Sequence, residues 1–311
     1  MFVIGIDLGG THIRAARVDR AGNVAAQAST LTDAAAGPAV VIEQLAGAIE
    51  TVVGATAPQQ IAGAGIGAPG PVDPAAGMVL HAANLAGWRG VPLKQILEQR
   101  TKLRVEVGND ANVAALGEWR FGSGRGSTHF SYVTFSTGIG AGVIVDGKLL
   151  LGHKGSAGEI GHSTIQVDGP LCSCGNLGCW QTLASGTALA AFARVATAGD
   201  ETSAIGRLAG DEPIAGQHVA RAAQAGDAVA LQLMRQVGEY IGVGLVNLLH
   251  LYAPQRVALG GGMMSSFELF EPHFRRIIAE RAMASYRDTE IVRAELGNLG
   301  GILGAAALVL E

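Results

Sequence analysis

Every cysteine of the chain falls in one short segment, where His162, Cys172, Cys174 and Cys179 spell H-x9-C-x-C-x4-C. Thiolates and an imidazole are the donors that Zn²⁺ prefers, and four of them in a tetrahedron complete its coordination. A chain that brings these four side chains onto one ion has this loop closed in advance. Cys172 and Cys174, one residue apart, can grip the ion from a single strand of loop, while Gly175 and Gly178 let the backbone curl so that Cys179 and His162 finish the set. The plainer reading, a few buried thiols, leaves the tight spacing unexplained. Four protein ligands leave no position for water, so the metal is expected to be structural and the chemistry to lie beside it.

The rest of the composition narrows the class. The chain has 311 residues, 49% hydrophobic and 15% charged, which is enough for two cores. A net charge of −4 with no run of Lys or Arg argues against nucleic-acid binding, which needs a basic face. Met1 leads at once into the strand-like run Phe2-Val3-Ile4-Gly5-Ile6, so no signal peptide is expected, and no apolar stretch suggests a membrane span. Cysteines committed to a metal suit a reducing compartment. A cytoplasmic α/β protein is the expectation.

Along the chain, residues 2–7 read as a buried strand, followed by the turn Gly9-Gly10-Thr11, a second strand over 13–18 and a third after Ala21-Gly22-Asn23. Apolar spacing predicts a helix over 39–53, a glycine-rich strand over 61–68, a strand over 103–107 and a helix over 111–119. The opening design then returns: a strand over 130–136, the turn Thr137-Gly138, a second strand over 142–145 and the tight turn Asp146-Gly147. Two hairpins of one design suggest a duplicated domain. Residues 186–250 are alanine-rich and mostly helical in pattern, a short strand over 256–259 runs into Gly260-Gly261-Gly262, and a helix over 301–310 ends the chain.

Several of these junctions carry chemistry. Asp7-Leu8-Gly9-Gly10-Thr11 puts a carboxylate at a strand end and glycines in the turn after it. Bare backbone N–H groups can approach phosphate oxygens closely, Thr11 adds a hydroxyl, and Asp7 offers the hard oxygen that Mg²⁺ wants. The loop is neither a Walker A loop, which needs a lysine, nor a Rossmann fingerprint, which needs a following helix. Read alone, it also fits an ordinary hairpin turn. Thr137-Gly138 repeats the arrangement, and Gly261 and Gly262 offer bare backbone to a flat base. Asp110 stands at a strand-to-helix junction, either as a helix cap or as a general base that deprotonates a sugar hydroxyl attacking a γ-phosphoryl group. Asn109 beside it has the donor and acceptor capacity that suits a sugar hydroxyl. Glu159, three residues before His162, can be held by the metal loop as a sugar-hydroxyl acceptor, or can be a plain surface carboxylate.

Taken in order, these pieces resemble the ROK family (repressors, open reading frames and kinases) of the actin/hexokinase-like ATPase superfamily, and its bacterial glucokinases in particular. The matching runs are Ile4-Gly5-Ile6-Asp7-Leu8-Gly9-Gly10-Thr11, Gly65-Ile66-Gly67-Ala68-Pro69-Gly70-Pro71-Val72-Asp73, Asn84-Leu85-Ala86-Gly87-Trp88 and Asn109-Asp110-Ala111-Asn112. They continue with Thr137-Gly138-Ile139-Gly140, Ala157-Gly158-Glu159-Ile160-Gly161-His162 and its cysteine loop, Gly260-Gly261-Gly262, and Gly300-Gly301-Ile302-Leu303-Gly304-Ala305-Ala306. The resemblance implies two RNase-H-like α/β domains with a cleft between them, expected at 1–116 plus 298–311 and at 117–297. It implies ATP-dependent phosphorylation of the 6-hydroxyl of a hexose, glucose first, with Mg²⁺ accompanying ATP and with a place in glycolysis. Asp110 is the implied base, and Asn84, Asn109, Glu159 and His162 are the implied sugar contacts. Asp7, Gly9, Gly10, Thr11, Thr137, Gly138, Gly261 and Gly262 belong to the nucleotide, and a homodimer is the family expectation.

One departure stands out. The cysteine loop of the family usually ends Gly-Cys-x-Glu, its glutamate touching the sugar, and here the run is Gly178-Cys179-Trp180-Gln181. Gln181 keeps the length and one acceptor but loses the charge. A hydrogen bond to a charged acceptor is worth about 1.5–3 kcal/mol against ~1 for a neutral one, so weaker sugar binding or a shifted preference near C1 and C2 is expected. An N-acetylhexosamine kinase (N-acetylglucosamine or N-acetylmannosamine) is the alternative this keeps open. A non-catalytic sugar sensor or regulator is the other, against which stand the retained Asp110 and the absence of a helix-turn-helix segment ahead of the first hairpin.

Overall fold

A computed structural model of the chain describes residues 1–200 and 202–310. They group into two compact units, one made of residues 1–132, 142–158 and those from 294 on, the other of residues 133–141 and 159–293. Residues 117–132, 142–158 and 294–297, which the sequence reading places in the larger domain, thus lie with the first unit.

The first unit begins with β1 (Phe2–Leu8) and β2 (His12–Asp19), an antiparallel hairpin in register from Phe2↔Asp19 to Leu8↔Ile13, and β3 (Val24–Leu31) extends it. β1 is buried nearly throughout, which is why it reads as a continuous apolar run and not as an alternation. Helix α1 (Pro38–Val53) has proline in its first turn, where no N–H partner is lost, and buries Val41, Leu45, Ala48 and Val52 along one stripe. β4 (Ile61–Ala68) lies parallel to β1. Then come the short strands β5 (Val72–Asp73), β6 (Met78–His81) and β7 (Arg89–Val91), which form an antiparallel sheet of their own. Helix α2 (Leu93–Thr101) leads to β8 (Val105–Asn109), parallel to β4, and β8 feeds directly into α3 (Asp110–Phe121). The five-stranded sheet has the order β3-β2-β1-β4-β8.

A second five-stranded sheet is built from β9 (Phe130–Phe135), β10 (Ile139–Val145), β11 (Lys148–Leu149), β12 (Arg256–Gly260) and β13 (Glu290–Arg293), in the order β11-β10-β9-β12-β13. Each sheet therefore arranges its own strands third-second-first-fourth-fifth, with an antiparallel start and a parallel finish in the pairings β10/β11 and β12/β13. That common order is what the two similar hairpins foreshadowed. Between β11 and β12 the second unit carries α4 (Trp180–Ala184), α5 (Gly186–Ala196), α6 (Ala204–Ala209), α7 (Gly216–Gln224) and the 25-residue α8 (Ala228–Tyr252). Helix α9 (Phe267–Arg281) follows β12 and packs along α8 through Phe270, Phe274 and Ile277. The last helix, α10 (Gly300–Leu310), returns to the first unit against β1, β4 and α3. Among the described residues no helix is long and apolar enough to cross a membrane.

Candidate functional site

In the first unit the candidate residues sit at the ends of β1 and β8. Asp7, near the end of β1, lies 3.3 Å from Arg14 Nη1. Burial pushes its carboxyl above the ordinary value, and the charge and hydrogen bond of Arg14 only partly offset that. The Gly9-Gly10-Thr11 turn is anchored by backbone and side-chain bonds. The Gly9 N–H donates to His12 O at 2.9 Å, the Thr32 hydroxyl to Gly9 O at 2.7 Å, and the Thr32 N–H to Thr11 O at 2.9 Å. Thr11 is exposed. A Cβ on Gly10 would stand 3.0 Å from Asn84 Cβ, so the structure brings the exposed Asn84 against this turn.

Asn109 and Asp110 divide their tasks differently from the sequence expectation. The cap of α3 is Asn109: its Oδ1 accepts from the Ala111 N–H at 3.0 Å and the Asn112 N–H at 3.2 Å, while its Nδ2 donates to Gly70 O at 3.0 Å. For a ligand, Asn109 has the other N–H of its amide. Asp110 is the first residue of the helix, exposed, and accepts from the Ala111 N–H at 2.8 Å. A carboxylate at a helix N-terminus is held by the unpaired N–H groups and dipole there, and the Asn109 cap fixes the turn that presents it.

In the second unit, His162 ends the short helical turn Ile160–His162, with Glu159 exposed just before it and the Glu159 C=O accepting from the His162 N–H at 3.1 Å. The cysteine loop is pinned by bridges between Thr164 and Cys179 and between Leu171 and Leu177. His162, Cys172, Cys174 and Cys179 offer ligand atoms that all lie within 4.8 Å of one another. Cys174 and Cys179 sulfurs are 3.7 Å apart, and Cys172 Sγ is 3.6 Å from His162 Nδ1. Tetrahedral zinc with bonds of ~2.3 Å to sulfur sets ligand edges of roughly 3.8 Å, which the two separations of 3.6 and 3.7 Å match, so the cluster could hold a metal ion. Burial raises the Cys179 thiol, and its neighbours Cys174 and Cys172 raise it further, to about 12. At Cys172 burial works the same way but is outweighed by donors from Cys174, Gln181 and His162, which bring it down to about 6.

Gln181, in the first turn of α4, donates from Nε2 to Cys172 Sγ at 3.3 Å, and its Oε1 lies beside Gly138. A glutamate in that pose would set a negative charge against sulfur, whereas the amide offers a donor. The sequence expectation for Gln181 named the sugar; the structure adds a bond to a thiol of the His/Cys cluster.

Thr137 and Gly262 meet in a cavity of about 480 Å³ that also takes in Gly186, Thr187, Gln217 and Met263. The Thr187 hydroxyl donates to Thr137 O at 2.7 Å, and Ser185 caps α5 by accepting from the Ala188 N–H. Gly138 lies beside Gln181, and Gly261 turns the chain after β12 with φ 86° against the Phe135 carbonyl. The helix start Ser185-Gly186-Thr187 was legible as a capped N-terminus, but nothing in the sequence tied it to Thr137 and Gly262.

The ROK family pattern matches residues 3–311. Glucokinase of Streptomyces coelicolor is 37% identical over 314 residues, spanning 99% of this chain and 97% of that protein. A putative xylose repressor of Caldicellulosiruptor is 34% identical over 313 residues, spanning 99% of this chain and 78% of the repressor. Among solved structures, the ROK family glucokinase of Streptomyces griseus in complex with glucose and AMPPNP matches with a TM-score of 0.84 and 34% identity, over 99% of both chains. The α/β architecture is of the actin/hexokinase-like type, and the chain belongs to the ROK family.

Proposed function

We propose that the protein is a glucokinase, transferring the γ-phosphoryl group of ATP to the 6-hydroxyl of glucose. The observation that carries this is the exposed Asp110 carboxylate at the first residue of α3, on a turn locked by the Asn109 cap, in a chain similar over its whole length to glucokinases. Asp110 accepts the proton of the 6-hydroxyl as its oxygen attacks the γ-phosphorus; the bond to the bridging oxygen breaks and ADP leaves. Such a transfer needs little covalent help from the protein, so the remaining residues position and stabilise charge. Asn84, Asn109, Glu159, His162 and Gln181 contact the hexose. The turns at Gly9, Gly10 and Thr11 and at Thr137 and Gly138 hold phosphates, and Gly261 and Gly262 flank the base, a reading supported by the cavity shared by Thr137 and Gly262. Mg²⁺ carried by ATP neutralises phosphate charge, with Asp7 as its protein anchor. His162, Cys172, Cys174 and Cys179 hold a structural Zn²⁺, supported by the convergence of their four ligand atoms to within 4.8 Å of one another.

The same reading makes the protein a cytoplasmic, glycolytic homodimer whose functional domains follow the two sheets, 1–116 with 298–311 and 117–297; the common strand order supports that division. Gln181 favours one second reading. With its amide turned to Cys172 and no charge to offer a sugar, an acetylated hexose is the competing substrate. Coupled ADP release with Mg-ATP across glucose, mannose, fructose, N-acetylglucosamine and N-acetylmannosamine decides, with Asp110→Ala as control. Turnover on glucose that drops about 10²-fold or more in Asp110→Ala is expected. Preference for an acetylated sugar selects the second reading, and hexose binding without turnover would make the protein a sensor.

A further inference from the structure

The second-unit cavity that joins Thr137 and Gly262 has an apolar wall, with Leu189, Ile214, Met234 and Phe270 among its side chains. Such a wall suits the faces of a flat ring and not a phosphate, whose charge needs cations or N–H groups around it. Two polar side chains complete the argument. Ser266 precedes α9 as its cap residue and is only 7% exposed, yet its hydroxyl caps no N–H group. Serine is favoured at that position because it caps, so one that does not is free for another partner. Its Oγ bonds to nothing else among the described residues, and it is not sealed in: it stays accessible within the cavity that Ser266 lines. The other side chain is Gln217, which lines the same cavity. Beside it the buried His218 accepts the Ala215 N–H at Nδ1, 3.2 Å away, so the ring proton sits on Nε2. The Gln217 carboxamide lies 3.3 Å from that Nε2. Two N–H groups cannot bond to each other, so Gln217 gives its oxygen to His218, and its NH₂ group is left for a ligand.

We propose that Ser266 and Gln217 read the polar edge of the phosphoryl donor's nucleobase. The Gln217 NH₂ group donates to a ring nitrogen or carbonyl oxygen of the base. The Ser266 hydroxyl, which can donate or accept, meets a neighbouring polar group, and the ring lies on the apolar wall. The donor is then a nucleotide and not a bare polyphosphate, which has nothing to place against that wall. This rests on the glucokinase reading in taking a nucleoside triphosphate as the donor; the assignment of the two base-reading residues goes beyond it.

The probes are ADP and tripolyphosphate, which carries phosphate charge but no base. Titration calorimetry on the whole protein should show ADP bound more tightly. Ser266→Ala and Gln217→Met should each narrow that preference roughly fivefold, the worth of one neutral hydrogen bond, by weakening ADP alone. Both changes are neutral, and Gln217 is exposed, so at least that variant keeps the fold, which thermal melting checks. A preference for ADP that neither variant moves overturns the base-reading assignment while the glucokinase reading stands. Equal weakening of ADP and tripolyphosphate places phosphate at these residues and overturns it too. A parent protein that binds no ADP fails the glucokinase reading itself.

Discussion

Glu118 gives the most direct test of how the first unit is held together. This carboxylate is 1% exposed, yet it meets four donors: Oε2 accepts from the Ser123 N–H at 3.0 Å, the Ser123 hydroxyl at 2.8 Å and the Glu295 N–H at 3.2 Å, and Oε1 accepts from the Leu296 N–H at 2.8 Å. It joins the last turn of α3 to the turn after it and to the segment that enters α10. Glu118→Gln keeps the shape and removes the charge. If the amide oxygen takes the Oε2 position, three bonds fall from charge-assisted to neutral strength, and the Leu296 N–H then faces an NH₂ group and is orphaned. Each weakened bond loses roughly 0.5–2 kcal/mol and the orphaned donor costs about 1–3 kcal/mol. Relief from burying a charge offsets part of this, and the net expectation is a loss of about 2–4 kcal/mol. At about 2–4 °C per kcal/mol for units of this size, the melting temperature should fall by ~4–16 °C. Glu118→Ala, which orphans all four donors and leaves a void, should cost more. Calorimetry and urea unfolding at pH 7 measure both, and a Glu118→Gln protein within a degree or so of the parent would refute the reasoning.

Three further perturbations follow from single contacts. Asp7→Asn should stabilise the fold at pH 7: burial raises the carboxyl above its ordinary 3.8, so its ionisation costs stability as pH rises through the raised value. The gain should vanish below the unfolded pKa, and a variant less stable than the parent at pH 7 counts against it. Gly178→Ala would set a Cβ 1.6 Å from Gln166 O at φ 62°, so the cysteine loop cannot close and zinc affinity should fall at least roughly tenfold. Atomic emission with a competing chelator reads this, and full zinc retention in the variant would show the loop to be more pliable than drawn. Gly244→Ala gains about 1 kcal/mol of helix propensity, but its Cβ would lie 2.0 Å from the ring of Trp180. That ring is fully buried, donates to Tyr240 O at 2.9 Å and stands edge-on to Phe135, so overpacking of ~1–3 kcal/mol or more should win. A more stable variant by urea unfolding would mean that Trp180 yields freely.

What the sequence made legible was whatever one segment decides by itself. The strand over 61–68 is β4, the helix over 39–53 is α1 less its proline, and the four metal-ligand candidates converge as their spacing implied. The misses have physical causes. Strands β5, β6 and β7 are two to four residues long, too short to show a period. Strand β10 begins at Ile139, three residues before the expected 142, because the Ser136 N–H reaches across the turn to Gly138 O and starts the pairing early. Asn109 and Asp110 are about equally good capping types side by side, so the sequence alone did not decide which of them caps the helix. The second-unit cavity draws on Thr137, Gly186, Gln217 and Gly262, four places that only the tertiary fold brings together.

The glycines of the terminal run show why a signature can look chemical and yet be a matter of packing. A Cβ on Gly304 would come within 1.7 Å of the Val113 carbonyl oxygen, and one on Gly65 within 1.8 Å of that of Ala305. Helix α10 therefore lies backbone to backbone on α3 and β4, closer than any side chain permits. No catalytic atom resides in Gly304, but through α3 it fixes the rod whose first residue is Asp110. Helix α3 is held from three directions: by Asn109 at its start, by the backbone contact with α10 along its length and by the Glu118 carboxylate at its end. The base proposed at Asp110 has to be in place before the substrate arrives, and part of the work of holding it there falls on backbone and cap contacts that take no part in the chemistry. A search limited to titratable side chains would pass over Gly304, Gly65 and Asn109, although those are the residues that position Asp110.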